Sequence, residues 1–165
     1  LPKTYIYIKP YAASGTHTYN VYRVKKGYIS KELEKTSEMV HNFYPYMPPF
    51  EKMYDFIKGL KENGYGIYLL SNASGDFYER IDGIPALSLF DGVLISADYK
   101  LLKPEKEIYL ALYEKFSLIP EECYFIDDVQ ANIDGAKNAG MDGHCYYHGD
   151  LEILKKAMAE KGIKV

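Results

Sequence analysis

A chain of 165 residues suffices for one compact domain with a partial second element, and 47% hydrophobic against 26% charged residues is the balance of a soluble globular protein. A net charge of −3 offers no basic face to nucleic acid or to an anionic membrane surface. No apolar run has the length of a membrane span and no secretory leader opens the sequence, so a cytosolic protein is expected.

In chain order, Tyr5-Ile6-Tyr7-Ile8 has the make-up of a short strand and runs into Lys9-Pro10. Residues 1–20 are otherwise irregular. Every charge as far as residue 31 is basic (Lys3, Lys9, Arg23, Lys25, Lys26 and Lys31); the first acid is Glu32 and the first aspartate Asp55. Lys31 to about Phe43 reads as a helix, and Pro45, Pro48 and Pro49 break the pattern before a regular portion over residues 49–165.

That portion opens with Phe50, Met53, Tyr54, Ile57 and Leu60 at helical spacing, stopped by Asn63-Gly64. Ile67-Tyr68-Leu69-Leu70 is a continuous apolar run, as expected of a strand buried on both faces, and it opens into Ser71-Asn72-Ala73-Ser74. Asp76 and Glu79 fit a capping box for a short helix to about Ile81. A second buried strand, Gly92 to Ser96, leads through a loop to Lys103-Pro104. Pro104 suits the first turn of a helix whose buried stripe is Ile108, Leu112 and Phe116. A third strand, Cys123 to Ile126, precedes a helix from Val129 to Ala139 that stops at Gly140. A strand from Gly143 to Tyr147 and a helix from Leu151 to about Glu160 follow. Cys123 and Cys145 fall in these strands without metal-type spacing and read as free thiols of a reducing compartment.

Strands alternating with helices predict an α/β fold, a three-layer Rossmann-like parallel sheet with helices on both faces. Ligands of such sheets gather at the carboxyl tips of the strands. Ser71, Asn72, Asp127 and Asp128 all fall at such tips, and Lys103 sits in a loop within reach of them. Two adjacent acids at one tip repel each other and lose hydration, a cost that a hard divalent cation such as Mg2+ offsets with carboxylate and water oxygens as ligands. The competing reading is a helix start, with Asp128 capping nearby amides and Asp127 favoured by the helix dipole. His17, His41, His144 and His148 have no metal-binding spacing, and no Gly-x-Gly-x-x-Gly follows any strand.

Taken together and in order, Leu70-Ser71-Asn72, Leu101-Leu102-Lys103-Pro104 and Phe125-Ile126-Asp127-Asp128-Val129-Gln130-Ala131-Asn132 resemble the haloacid dehalogenase-like (HAD) hydrolases, over roughly Gly27 to Gly162. The phosphatases of that superfamily are the nearest in pattern. The resemblance implies that residues 21–48 are what remains of a helical cap, which in the family selects the substrate. It also implies a catalytic and phosphate-binding role for Ser71 and Lys103, phosphate binding by Asn72, and Mg2+ held by Asp127 and Asp128. Asn132 would steady the metal loop from behind. Attack of a carboxylate on a phosphoryl group brings two anions together, which is why such a site needs a lysine and a metal. Dehalogenating members carry Ser-Ser-Asn where this chain has Asp-Asp, so a Mg2+-dependent phosphatase of a small phosphorylated metabolite is expected ahead of a dehalogenase. A phospho-receiver domain has its acids first in sequence and its lysine last, the reverse of the order here.

One family feature is missing. HAD hydrolases open with a strand ending in Asp-x-Asp, the first of which becomes phosphorylated, and here Tyr5–Ile8 ends in Lys9-Pro10. The sequence is therefore expected to lack turnover as it stands. Either an upstream segment with the nucleophile is absent, or the chain is an inactive module that binds phosphate and metal. A sheet without its central strand, with edges prone to association, is the structural expectation.

Overall fold

A computed structural model describes residues 5–8, 51–73, 77–78, 85–147 and 149–165. Its strands are Tyr5–Ile8 (β1), Ile67–Ser71 (β2), Gly92–Ile95 (β3), Cys123–Asp127 (β4) and Asp142–Cys145 (β5). Its helices are Glu51–Glu62 (α1), the single turn Ser96–Tyr99 (α2), Lys106–Phe116 (α3), Gln130–Asn138 (α4) and Leu151–Glu160 (α5), with short 3-10 segments at Pro85–Leu89 and Pro120–Glu122. All of these lie in one compact unit, residues 1–11 with 50–165; residues 12–49 form a second.

The five strands make one parallel sheet in the order β3-β2-β1-β4-β5. β1 is its middle strand, with Ile6 opposite Ile67 of β2 on one side and opposite Tyr124 of β4 on the other. The expectation of a sheet without a central strand is therefore corrected. Four β-prone residues supply the ladder without supplying an acid, because pairing depends on the backbone and the nucleophile on a side chain.

β4 shows why the core has two halves. Its side chains alternate across the pleat, and both sets are buried. Cys123 and Phe125 pack with Ile108, Tyr109, Leu112 and Tyr113 of α3 and Ile133 and Ala136 of α4. Tyr124 and Ile126 pack with Met53, Phe56, Ile57 and Leu60 of α1 and Leu154 and Met158 of α5. The sheet thus carries helices on both faces, the three-layer α/β architecture that the alternation of elements predicts. The C-terminal end of α1 is fixed as expected: Gly64 takes φ +87°, and Tyr65 N–H closes the last turn on Leu60 O. α5 starts at a cap in which the Asp150 carboxylate accepts from Glu152 and Ile153 N–H.

Several boundaries differ from expectation by a residue or two. β3 ends at Ile95, because Ser96 begins α2 and its hydroxyl bonds both the N–H and the carbonyl of Ala73. The helix after Pro104 begins at Lys106, with Glu105 still extended. β4 runs on to Asp127 and the following helix waits until Gln130. β5 spans Asp142–Cys145, after which Tyr146 N–H returns to Asp127 O. The expected helix near residues 31–43, the cap over 21–48 and the Asp76–Glu79 capping box lie outside the described residues.

Candidate active site

The strand order reverses direction between β1 and β4: the chain steps outward from β1 to β2 to β3, then returns to β4 and moves outward to β5. The crevice beyond the carboxyl ends of strands at such a reversal is where open α/β sheets bind ligands. The last residue of β4 is Asp127, and the sequence beyond β1 is Lys9-Pro10.

Asp127 is 1% exposed, yet its carboxylate is fully engaged. Oδ1 accepts from Val129 N–H at 2.9 Å and from the Asn132 side-chain amide at 2.9 Å; Oδ2 accepts from Lys103 Nζ at 2.6 Å. The Asp127 carboxylate thus meets the N–H of Val129, the residue that leads into α4. Val129 in an extended conformation (φ −110°) turns its N–H back to the carboxylate two residues earlier. Lys103, 5% exposed, also donates from Nζ to Leu70 O at 3.1 Å, and its ammonium lies 5.4 Å from the centroid of the Phe125 ring. A buried ammonium and a buried carboxylate are each costly alone. Paired and hydrogen-bonded in this way, each offsets part of the other's cost of burial.

Lys103 is held by its backbone as well as by its charge. The Asn72 side chain accepts from Lys103 N–H at 2.9 Å and donates to Lys103 O at 3.1 Å, so the carboxamide reads the main chain in both directions. The Asn72 side chain is thus a clasp that fastens the Lys103 loop to the tip of β2. Gly135 of α4 allows the same loop to come close on the other side: a Cβ there would meet Pro104 O at 2.4 Å. Ser71 ends β2 opposite Ile95, half-buried, between the Leu70 carbonyl that binds Lys103 and the Asn72 clasp. Asp128 is half-buried beside Asp127, and its carbonyl accepts from the Cys145 thiol at 3.7 Å.

Lys103, Asp127, Asn132 and Asn72 thus form one hydrogen-bonded cluster, and Ser71 and Asp128 adjoin it through the chain. Lys103 sets one positive charge against Asp127, and the second acid, Asp128, follows next in the chain. Burial raises the Cys145 thiol above its ordinary pKa, and the carboxylates of Asp127 and Asp128 push it in the same direction. Among the described residues no three His, Cys, Asp or Glu side chains gather into a metal cage. Mg2+ is commonly held by one or two carboxylates with water and phosphate oxygens making up the rest, so two adjacent carboxylates at a strand tip fit that ion.

Sequence reasoning missed Ser96, which ties the tips of β2 and β3 together, and Tyr109. Tyr109 is fully buried although the predicted helical stripe passed it by in favour of Phe116, which is only half-buried. Adjacent buried positions at 108–109 and 112–113 widen that stripe, and this doubled spacing was the available signal.

The haloacid dehalogenase-like hydrolase family matches residues 17–140. A sesquiterpene phosphatase of Aspergillus oryzae is 29% identical over 58% of this chain and 49% of its own length. A flavin mononucleotide hydrolase of Arabidopsis thaliana is 27% identical over 81% of this chain and 53% of its own length. The chain spans about half the length of these curated relatives. Among solved structures, a HAD-family enzyme of Bacteroides thetaiotaomicron in complex with magnesium and inorganic phosphate superimposes with a TM-score of 0.56 at 27% identity, covering 63% of this chain and 56% of that one.

Proposed function

Because the chain belongs to the haloacid dehalogenase-like hydrolase family, we propose that the cluster at its sheet reversal is the phosphate and Mg2+ cradle of a phosphatase acting on a small phosphomonoester. The observation that carries this reading is the buried Lys103–Asp127 pair, locked at 2.6 Å beside a second acid and a serine tip. In this reading the Lys103 ammonium and the Ser71 hydroxyl face the phosphoryl oxygens, together with the Asn72 main chain. Asn132 keeps Asp127 from swinging as charge moves nearby. Asp128, with Asp127 behind it, holds Mg2+, which when bound supplies the positive charge that lets a phosphoryl dianion approach two carboxylates. One curated relative is a phosphatase by name and another a flavin mononucleotide hydrolase, and a structural neighbour carries magnesium with phosphate. Both support this reading over dehalogenation. A cytosolic setting and a substrate-selecting cap over residues 21–48 are part of the proposal. Among the described residues no helix is long and apolar enough to cross a membrane.

A second reading has its own support. Hydrolysis through an aspartyl-phosphate needs an aspartate at the reversal, and β1 is followed by Lys9-Pro10 with no aspartate before Asp55. The 165 residues are then a binding module. Calorimetry with Mg2+ and inorganic phosphate, run beside hydrolysis of p-nitrophenyl phosphate, separates the possibilities. Phosphate binding that requires Mg2+, without turnover, is expected of this chain. Turnover would overturn the binding-only reading, and absence of any phosphate or Mg2+ binding would overturn the cradle itself.

A further inference from the structure

Tyr109 of α3 is a polar group that neither the family motifs nor the cradle explains. Its side chain is completely buried, yet its hydroxyl donates to the backbone carbonyl of Asn132 at 2.7 Å. Asn132 lies in the first turn of α4, and its side-chain amide is the group that holds Asp127 Oδ1. The Tyr109 ring stands edge-on to Phe125 with centroids 5.6 Å apart, and Phe125 is the ring beneath the Lys103 ammonium. A single side chain therefore touches both supports of the buried ion pair: the helix turn behind the carboxylate and the strand ring below the amine. Burial raises the Tyr109 pKa, and the Asp127 charge raises it further, so the phenol keeps its proton and remains a donor.

We propose that Tyr109 is a positioning residue that sets the Lys103–Asp127 geometry through Asn132; for its bearing on phosphate chemistry this rests on the cradle described above. The phenol donates to a helix carbonyl, an oxygen with two lone pairs, and so fixes the first turn of α4 without competing with its helical bonds. Packing alone would call for phenylalanine at this place, since a buried hydroxyl is unfavourable unless bonded.

The same helix provides the control. Tyr113, one turn along, is buried as well, but its hydroxyl lies toward the Met141 backbone and makes no hydrogen bond to Asn132 or to the ion pair. Tyr109→Phe and Tyr113→Phe each remove one oxygen from the same helix and keep the ring. The measurement is NMR of the full 165-residue chain without ligand, following exchange of the Asn132 side-chain amide and Lys103 ammonium protons. Y109F is expected to speed both by about tenfold, as loss of one neutral hydrogen bond implies, while Y113F leaves them unchanged. Calorimetric titration of Mg2+ follows, with Y109F weakening binding and Y113F matching the unaltered chain. Exchange in Y109F equal to that of the unaltered chain, or the same acceleration in both variants, would overturn the proposal. Because the exchange readout needs no ligand, a chain that binds neither Mg2+ nor phosphate defeats the cradle while the positioning role is still decided.

Discussion

Two lysine–carboxylate contacts in this molecule share one distance and differ in almost everything else. Lys103–Asp127 and Lys161–Asp142 both close at 2.6 Å, but the side chains of the first pair are 1% and 0% exposed and those of the second 56% and 39%. In water the attraction is small, and the ordering of two flexible side chains consumes most of it. Beneath the sheet tips the charges have lost hydration, so each depends on the other and on a ring of further bonds: Leu70 O for the amine, Val129 and Asn132 for the carboxylate. The surface pair fastens β5 to the end of α5. The buried pair joins the Lys103 loop to the tip of β4 at a place from which water has been largely removed.

The largest expected effect comes from breaking the buried pair on one side. Lys103→Met leaves Asp127 charged and without its cation, and should cost about 3–5 kcal/mol in urea unfolding. Adding Asp127→Asn, which keeps an oxygen for Val129 N–H, should return most of that loss while abolishing phosphate binding. If K103M unfolds like the unaltered chain, burial is not what separates the two pairs.

A smaller effect tests the wall of the site. Gly135→Ala forces a methyl group against Pro104 O, and relieving it means moving α4 or the Lys103 loop, at about 1–3 kcal/mol. Urea midpoints compared with those of Gly59→Ala, whose added methyl meets nothing within 4 Å, would check this.

The smallest concerns the surface. Lys161→Ala should leave the thermal midpoint at neutral pH within the scatter of the measurement. Burial works against ionisation of Asp142, but the Lys161 hydrogen bond, the Gly143 N–H and the charges of Lys161 and Lys137 outweigh it and hold its pKa below 3.8. A lowered carboxyl pKa contributes stability above the unfolded value of 3.8 that disappears as pH falls through the folded one. Any difference that K161A makes should therefore fade in acid; a difference that grows there contradicts the assignment.

What the sequence discloses follows the same divide. Elements from α1 onward are legible because continuous apolar runs and helical stripes are written locally, and the tips that carry Ser71, Asp127 and Asp128 follow from where those runs stop. Their last residues are not legible: Ser96 leaves its strand for a bond with Ala73, and Glu105 stays extended before α3. Nor does the sequence say that Lys103 closes on Asp127, or that Asn72 turns to the Lys103 backbone. Those outcomes depend on contacts between segments 24 to 31 residues apart. β1 was legible as a strand but misjudged in place, because its lack of an acid obscured its ability to pair.

That placement has a consequence for how the molecule comes into being. As a nascent chain leaves the ribosome, Tyr5–Ile8 emerges before either of its neighbours, first meeting Ile67 and Tyr68 and only much later Cys123 to Ile126. Throughout that interval one flank of the strand offers unpaired amides and carbonyls to any other extended segment nearby. Contacts so distant in sequence form slowly, so the assembly step most exposed to error is the closing of the seam on which Asp127 stands.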